Sequence, residues 1–223
     1  MNTVPLIHCI GDSHSLFFHG EDNVYFSLES GQRNDSLLPY FKVYPIGPAL
    51  AYNLYKEAES SKWRDIIFSL LGNRIPNSSY VLLCFGEIDC RCHLLKQAFL
   101  QNRPIEEIVK ICVDRYFDFV LEVKEKGFNV MIWGAVASAL DTVVEDKGFP
   151  RFGTNKERNK TASIFNKELF SLCLKNDIPF ISIFNSLVDE KGTTIEDYYM
   201  DQIHLSQRAM PLALEKIRYF VNI

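Results

Sequence analysis

The sequence predicts an α/β fold: a parallel sheet covered by helices on both faces. Two observations carry this. Short apolar runs alternate with longer helical patterns along all 223 residues, and no repeat, low-complexity tract or linker-like shift interrupts them. A chain of this length suits one domain with a sizeable core, so residues 1–223 are expected to fold as a unit.

The elements follow in order. "VPLIHCI" is a short apolar run ended by Gly11 and reads as a first, buried strand. "FKVYPIG" is a weaker second strand. "PALAYNLYKEA" after it predicts a helix with Pro48 in its first turn. "YVLLCF" is a third buried strand, ended by Gly86. From Pro104, Ile105, Ile108, Val109, Cys112, Tyr116, Val120 and Val123 recur at helical spacing. Glu106 and Glu107 open that helix, Lys124 and Lys126 close it in accord with the helix dipole, and Gly127 stops it. "FNVMIWG" is the fourth strand, about Asn155 to Lys175 a helix, and "IPFISIF" the fifth strand. A last helix begins near Ser206, and Pro211 in its opening turns predicts a distortion or a displaced start.

Composition excludes several classes. A hydrophobic fraction of 47% with 23% charged residues is ordinary for a globular protein. The formal net charge of −4, with Lys and Arg scattered, gives no footprint for nucleic acid. "VMIWGAVASAL", the longest apolar run, is far short of the roughly 20 residues that span a bilayer, so no membrane span is expected. A strand-like segment starts almost at once and leaves no room for a secretion signal, which predicts a cytoplasmic location. The six cysteines read as reduced, because a chain with a real core needs no staples.

Two polar clusters follow strands. "GDSH" follows the first and "GEIDCRCH" the third. In open parallel sheets of order 2-1-3-4-5, ligands bind beyond the carboxyl ends of strands one and three, so both clusters converge on one crevice. Ser13 is the hydroxyl presented there. A serine attacks when a base takes its proton, and that base works best when a carboxylate orients it. His204 in "MDQIHLS", with Asp201 three residues earlier, supplies both groups.

"GDSH" near the amino terminus and "DQIH" near the carboxyl terminus resemble the first and last sequence blocks of the SGNH (GDSL-like) hydrolases. The resemblance implies a flavodoxin-like three-layer α/β/α sandwich with five parallel strands in the order 2-1-3-4-5. It also implies Ser13 as nucleophile, His204 as base, Asp201 as the orienting carboxylate, and no metal or cofactor. The second block points to Gly47 in "YPIGPAL" as an oxyanion amide, beside the N–H of Ser13.

The third block departs from the family's Gly-x-Asn-Asp. Here it reads Gly86-Glu87-Ile88-Asp89, and Ile88 has no donor where the Asn should be. Losing such a donor typically costs about 2.7–4 kcal/mol in the transition state. "GEIDCR" resembles a variant subgroup associated with bacterial glycan-modifying systems. Arg91 is then a candidate replacement donor oriented by Asp89 or Glu87; alternatively it pairs with one of them to order the loop. His14 reads as a crevice wall or a supporting hydrogen bonder.

Other features read more plainly. Cys90, Cys92 and His93 suggest zinc only faintly, since no second ligand pair stands at the usual spacing. His19 and Arg33 lie in a polar segment long enough to be a lid or substrate loop. "RFGTNKERNK" reads as a solvated helix start, or as a surface toward an anionic or sugar substrate. The expected activity is that of a serine esterase or acyltransferase on O-acyl groups of a sugar or glycan, through an acyl-enzyme. The alternative is a glycan-binding module that has lost useful hydrolysis. The acyl group, the acceptor and the oligomeric state stay open.

Overall fold

The computed structural model describes residues 5–22, 34–55, 62–142 and 148–223. Its strands are β1 (Ile7–Gly11), β2 (Asn34–Asp35), β3 (Phe41–Pro45), β4 (Tyr80–Cys84), β5 (Asn129–Trp133) and β6 (Phe180–Ile181). They form one sheet in the order β2-β3-β1-β4-β5-β6. The five strands from β3 to β6 pair in parallel, which is the predicted order 2-1-3-4-5, and helices flank them. The two-residue β2 runs antiparallel on the β3 edge and was not foreseen.

The central strands read as apolar runs because both faces are covered. Ile7, Cys9, Ile10, Val43, Val81, Leu82, Leu83 and Ile132 are each fully buried. Register then decides where the loops emerge. Gly11 pairs with Pro45 on one side and Cys84 on the other, Cys84 pairs with Trp133, and Trp133 with Ile181. All five strands thus end in one row, and every following loop leaves on the same side of the sheet.

The helices are α1 (Lys62–Asn73), α2 (Leu94–Gln101), α3 (Ile105–Glu125), α4 (Asn155–Lys175) and α5 (Met210–Ile217). α3 and α4 begin and end close to where their sequence signals stand. A capping box at Thr154 and Glu157 starts α4. The Pro211 expectation is met by a 3-10 turn at Gln207–Ala209, with α5 displaced to Met210. Among the described residues no helix is long and apolar enough to cross a membrane.

Several expectations need correction. The helix expected over "PALAYNLYKEA" is a 3-10 turn at Ala51–Leu54 between non-helical residues 48–50 and Tyr55, and residues 56–58 lie outside the described residues. The α-helix follows instead at Lys62–Asn73, where Ile67, Leu70 and Leu71 bury one face at a spacing that was readable. The fifth strand shortens to Phe180–Ile181, because a 3-10 turn at Phe184–Ser186 takes over its end. Arg33 lies outside the described residues, while His19 closes a 3-10 turn. The helix start in "RFGTNKERNK" is not simply solvated, since Arg158 is fully buried. All six cysteines are buried and free.

Candidate active site

Asp12 decides how the chain leaves β1. Its carboxylate Oδ1 accepts the backbone N–H of His14 at 2.8 Å, and its carbonyl accepts the Ser15 hydroxyl at 2.8 Å. This caps the 3-10 turn Ser13–His19 and places Ser13, half-buried, at the turn's first position. Asp12 itself is wholly buried. Burial pushes its pKa up to about 6, against the lowering influence of His14, and Oδ2 has no hydrogen-bond partner.

The base arrives from the other end of the chain. Asp201 Oδ1 accepts the N–H groups of Ile203 and His204, both at 2.6 Å, which curls the backbone into a tight turn. That turn sets His204 Nδ1–H donating to Asp201 Oδ2 at 2.7 Å. On the far side of the ring, Nε2 accepts the Ser13 hydroxyl at 2.8 Å. Partial burial opposes the Asp201 charge, but the His204 hydrogen bonds outweigh it and hold the carboxyl at about 2. Ser13, His204 and Asp201 are therefore one hydrogen-bonded chain.

A second chain lies beside the first. His14 Nε2–H donates to Glu87 Oε2 at 2.9 Å, and Arg91 Nε–H donates to Glu87 Oε1 at 2.8 Å. All three side chains are buried, and the His14 ring sits 5.0 Å from that of His204. Burial pushes Glu87 upward, yet Arg91 and His14 prevail and hold it at about 2. Burial works against charge on His14 too, but Glu87 raises its pKa above the ordinary value. Arg91 Nη1 also donates to the Phe149 carbonyl at 3.3 Å. Both sequence readings had Arg91 held by Glu87 or Asp89, and the structure pairs it with Glu87.

Asp89 does not orient Arg91. Its carboxylate accepts the N–H of Ala51 at 2.8 Å and of Tyr52 at 3.2 Å, which ties the third block to the loop that carries Gly47. Burial raises its pKa to about 6 despite those donors. Gly47 stands two residues past β3, and the Ile46 N–H donates to the Gly11 carbonyl at 2.9 Å, so this loop abuts the one bearing Ser13. A positive φ of 104° and the Trp63 ring 2.5 Å from any added Cβ explain the glycine. Ile88 is buried and, as expected, offers no donor.

The chain then enters a π-helical turn, Asp89–His93, a form found often at functional sites. Cys92 Sγ meets the Phe149 carbonyl at 3.4 Å. Among the described residues no group of three His, Cys, Asp or Glu side chains converges as a metal cage.

Sequence reading missed the polar face of α4. Asn155 Nδ2 donates to the carbonyls of Ser138 and Ala139 at 2.9 and 3.0 Å, and Arg158 Nε to Ser138 Oγ at 2.9 Å. Asn159 Oδ1 accepts the Ser138 N–H at 2.8 Å, and Asn166 does the same for Ala135 at 2.8 Å. These residues clamp the loop after β5. The signal was present: Asn155, Asn159 and Asn166 fall on one helical face.

No family model matches this sequence, and no functionally curated protein matches it. Solved structures do. A protein from Bacteroides fragilis assigned as an acylhydrolase aligns with a TM-score of 0.59 at 15% identity, over 99% of this chain and 90% of its own. A GDSL-like lipase from Bacteroides thetaiotaomicron aligns at 0.57 and 13% identity, over 96% and 86%. An acetyl xylan esterase aligns at 0.51 and 15% identity, over 96% and 98%. The chain shares its fold with these three proteins over at least 96% of its length.

Proposed function

We propose that this chain is a serine esterase or acyltransferase of SGNH type, acting on O-acetyl groups of a sugar or glycan. The observation that carries the reading is the unbroken chain from Asp201 through His204 to Ser13, at 2.7 and 2.8 Å. Asp201 holds the tautomer that leaves Nε2 facing the hydroxyl. As Ser13 Oγ bonds to the acyl carbon, His204 takes its proton, and the carbonyl π electrons move onto oxygen. The N–H groups of Ser13 and Gly47 receive that oxyanion. Collapse expels the sugar alkoxide, which takes the proton back from His204. Water or an acceptor hydroxyl then releases the acyl group by the same steps in reverse.

One observation favours acetyl: a neighbour in fold is named an acetyl xylan esterase. Arg91 is then a positioning residue that fixes Glu87 and, through it, His14 beside the reacting serine. The proposal extends to membership of the GEIDCR-bearing subgroup, to a single domain, and to a cytoplasmic setting.

A fluorophosphonate probe tests the reading. It should label the native protein and spare Ser13→Ala, with acetyl-ester turnover lost in step. Labelling of both proteins alike would overturn the assignment. The alternative is a glycan-binding module, and one observation favours it: Ile88 leaves the third block without a donor. It predicts sugar binding with no acetyl-ester turnover above background.

A further inference from the structure

His204 stands on an irregular stretch of chain. Between β6 and α5 the backbone makes short 3-10 turns and isolated bridges, Val188 to Thr194 and Tyr199 to Leu205. The imidazole and the Asp201 carboxylate are both partly open to solvent. Such a segment has little regular structure to hold Nε2 at 2.8 Å from the Ser13 hydroxyl. The distance matters, because a misplacement of about 1 Å in a reacting group can cost about a hundredfold in rate.

Two hydrogen bonds lie beside the triad, and both belong to Gln207. Its N–H donates to Asp22 Oδ1 at 2.8 Å, and its Nε2 donates to the Phe17 carbonyl at 2.8 Å. Gln207 follows His204 by three residues, and Phe17 follows Ser13 by four. The partners lie 185 and 190 residues apart in the chain, so these bonds join its two ends at the site.

Each bond uses a group that its own element leaves over. Gln207 opens the helical run that continues into α5, and the first N–H groups of a helix have no partner inside it. Phe17 lies near the end of the turn Ser13–His19, where the last carbonyls are likewise spare; Ser36 Oγ takes those of Phe18 and His19. Both anchors are firm. Phe17 is buried, with its ring stacked on Trp133 at 5.9 Å and edge-on to Phe18 at 5.2 Å. On the other side Leu205 and Ser206 are buried, and the Ser206 N–H donates to the Tyr198 carbonyl at 2.8 Å.

We infer that Gln207 is a positioning residue of the active site: with Asp22 it clamps the segment carrying His204 onto the turn carrying Ser13. This rests on the esterase reading above. Gln207 bonds to neither Ser13 nor His204, so it acts through the distance between them.

Kinetics on p-nitrophenyl acetate and the imidazole nitrogen shifts of His204 test this. Gln207→Ala and Asp22→Ala should each lower kcat about tenfold to a hundredfold with KM held. Their melting temperatures should fall by no more than a few degrees. Asp22→Asn keeps an oxygen acceptor and should retain most of the native kcat. A normal kcat in Gln207→Ala would overturn the inference, as would a change in KM alone or an Asp22→Asn as slow as Asp22→Ala. The nitrogen shifts need no substrate. Native His204 Nε2 should carry the shift of an acceptor bonded to a hydroxyl, which Ser13→Ala removes, and Gln207→Ala should move it toward the Ser13→Ala value. If that is seen but no ester is turned over, the clamp stands and the esterase reading fails. If the native and Ser13→Ala shifts agree, or Gln207→Ala leaves the native shift in place, the clamp fails whatever the turnover.

Discussion

At the scale of single residues, two hydrogen-bonded chains of different kinds lie side by side. Asp201–His204–Ser13 is half-open to solvent and, as proposed above, relays a proton; Arg91–Glu87–His14 is buried, with the Glu87 carboxyl held at about 2. The first predicts non-additive losses, since its members serve one step. Ser13→Ala and His204→Ala should each cost on the order of 10⁴-fold in kcat or more, and the double variant little beyond either, in steady-state assays of acetyl-ester turnover. The second predicts a stability defect. Arg91→Ala leaves the Glu87 charge buried against His14 alone and should cost about 3–5 kcal/mol in denaturant unfolding. Arg91→Lys should recover part of this, as a single-point ammonium replaces a planar fork. A stable Arg91→Ala protein with kcat lowered about a hundredfold would instead return the guanidinium to the oxyanion.

At the scale of elements, the cap on the first 3-10 turn gives a pH dependence whose sign can be worked out. Asp12 titrates at about 6 when folded and at about 3.9 when unfolded. Between those values the folded state keeps a proton that the unfolded state has released. The stability it contributes is thus present below about 4, is lost as pH rises to about 6, and stays lost above. Asp12→Asn keeps an oxygen acceptor for the His14 N–H and removes the titration. Its melting temperature should exceed that of the native protein by a few degrees at pH 8 and converge with it near pH 4. The Asp12 charge also raises Asp89 and His14, so the difference curve reports Asp12 together with its coupling to those two groups.

The turn after β4 has its own constraint. Gly86 has a φ of 109°, and an added Cβ would lie 2.6 Å from the Phe165 ring. Gly86→Ala should cost about 2–4 kcal/mol, from the strained backbone and the clash together. Adding Phe165→Leu should relieve only the clash, which a thermal melt of both variants would show.

At the scale of the whole molecule, the sheet's register makes the site. Five strands end in one row, so the loops bearing Ser13, Gly47 and Glu87 leave together, and the turn at Asp201 just before the last helix delivers His204 to them. Leu16, Phe17 and Met200 line the cleft beside Ser13 and His204, where the proposed acetyl group would sit. Turnover of p-nitrophenyl esters should therefore fall steadily from acetate through butyrate to octanoate, by about tenfold or more per step once the acyl group outgrows the cleft. A rate that rises with chain length would show that the acyl group sits elsewhere.

The sequence by itself determined the parallel sense of the main strands, the approximate extents of α3 and α4, and the displaced start of the last helix; the strand order came from the family resemblance. Each is written locally, in apolar runs, dipole-matched charges, a capping box or a proline. It also singled out Ser13, His204 and Asp201, because small polar residues after an apolar run and an Asp three residues before a His are visible in one dimension. Only the tertiary structure decided the rest. Glu87 is equally close in sequence to several partners, and packing alone chose His14 and Arg91 for it. Asp89 bonds backbone N–H groups 37 and 38 residues away, a choice no local pattern encodes. Arg158 and Asn159 read as a solvated surface because charge and amides usually are; the loop after β5 turned its carbonyls toward them, and a buried polar face is stable only where every donor finds such a partner.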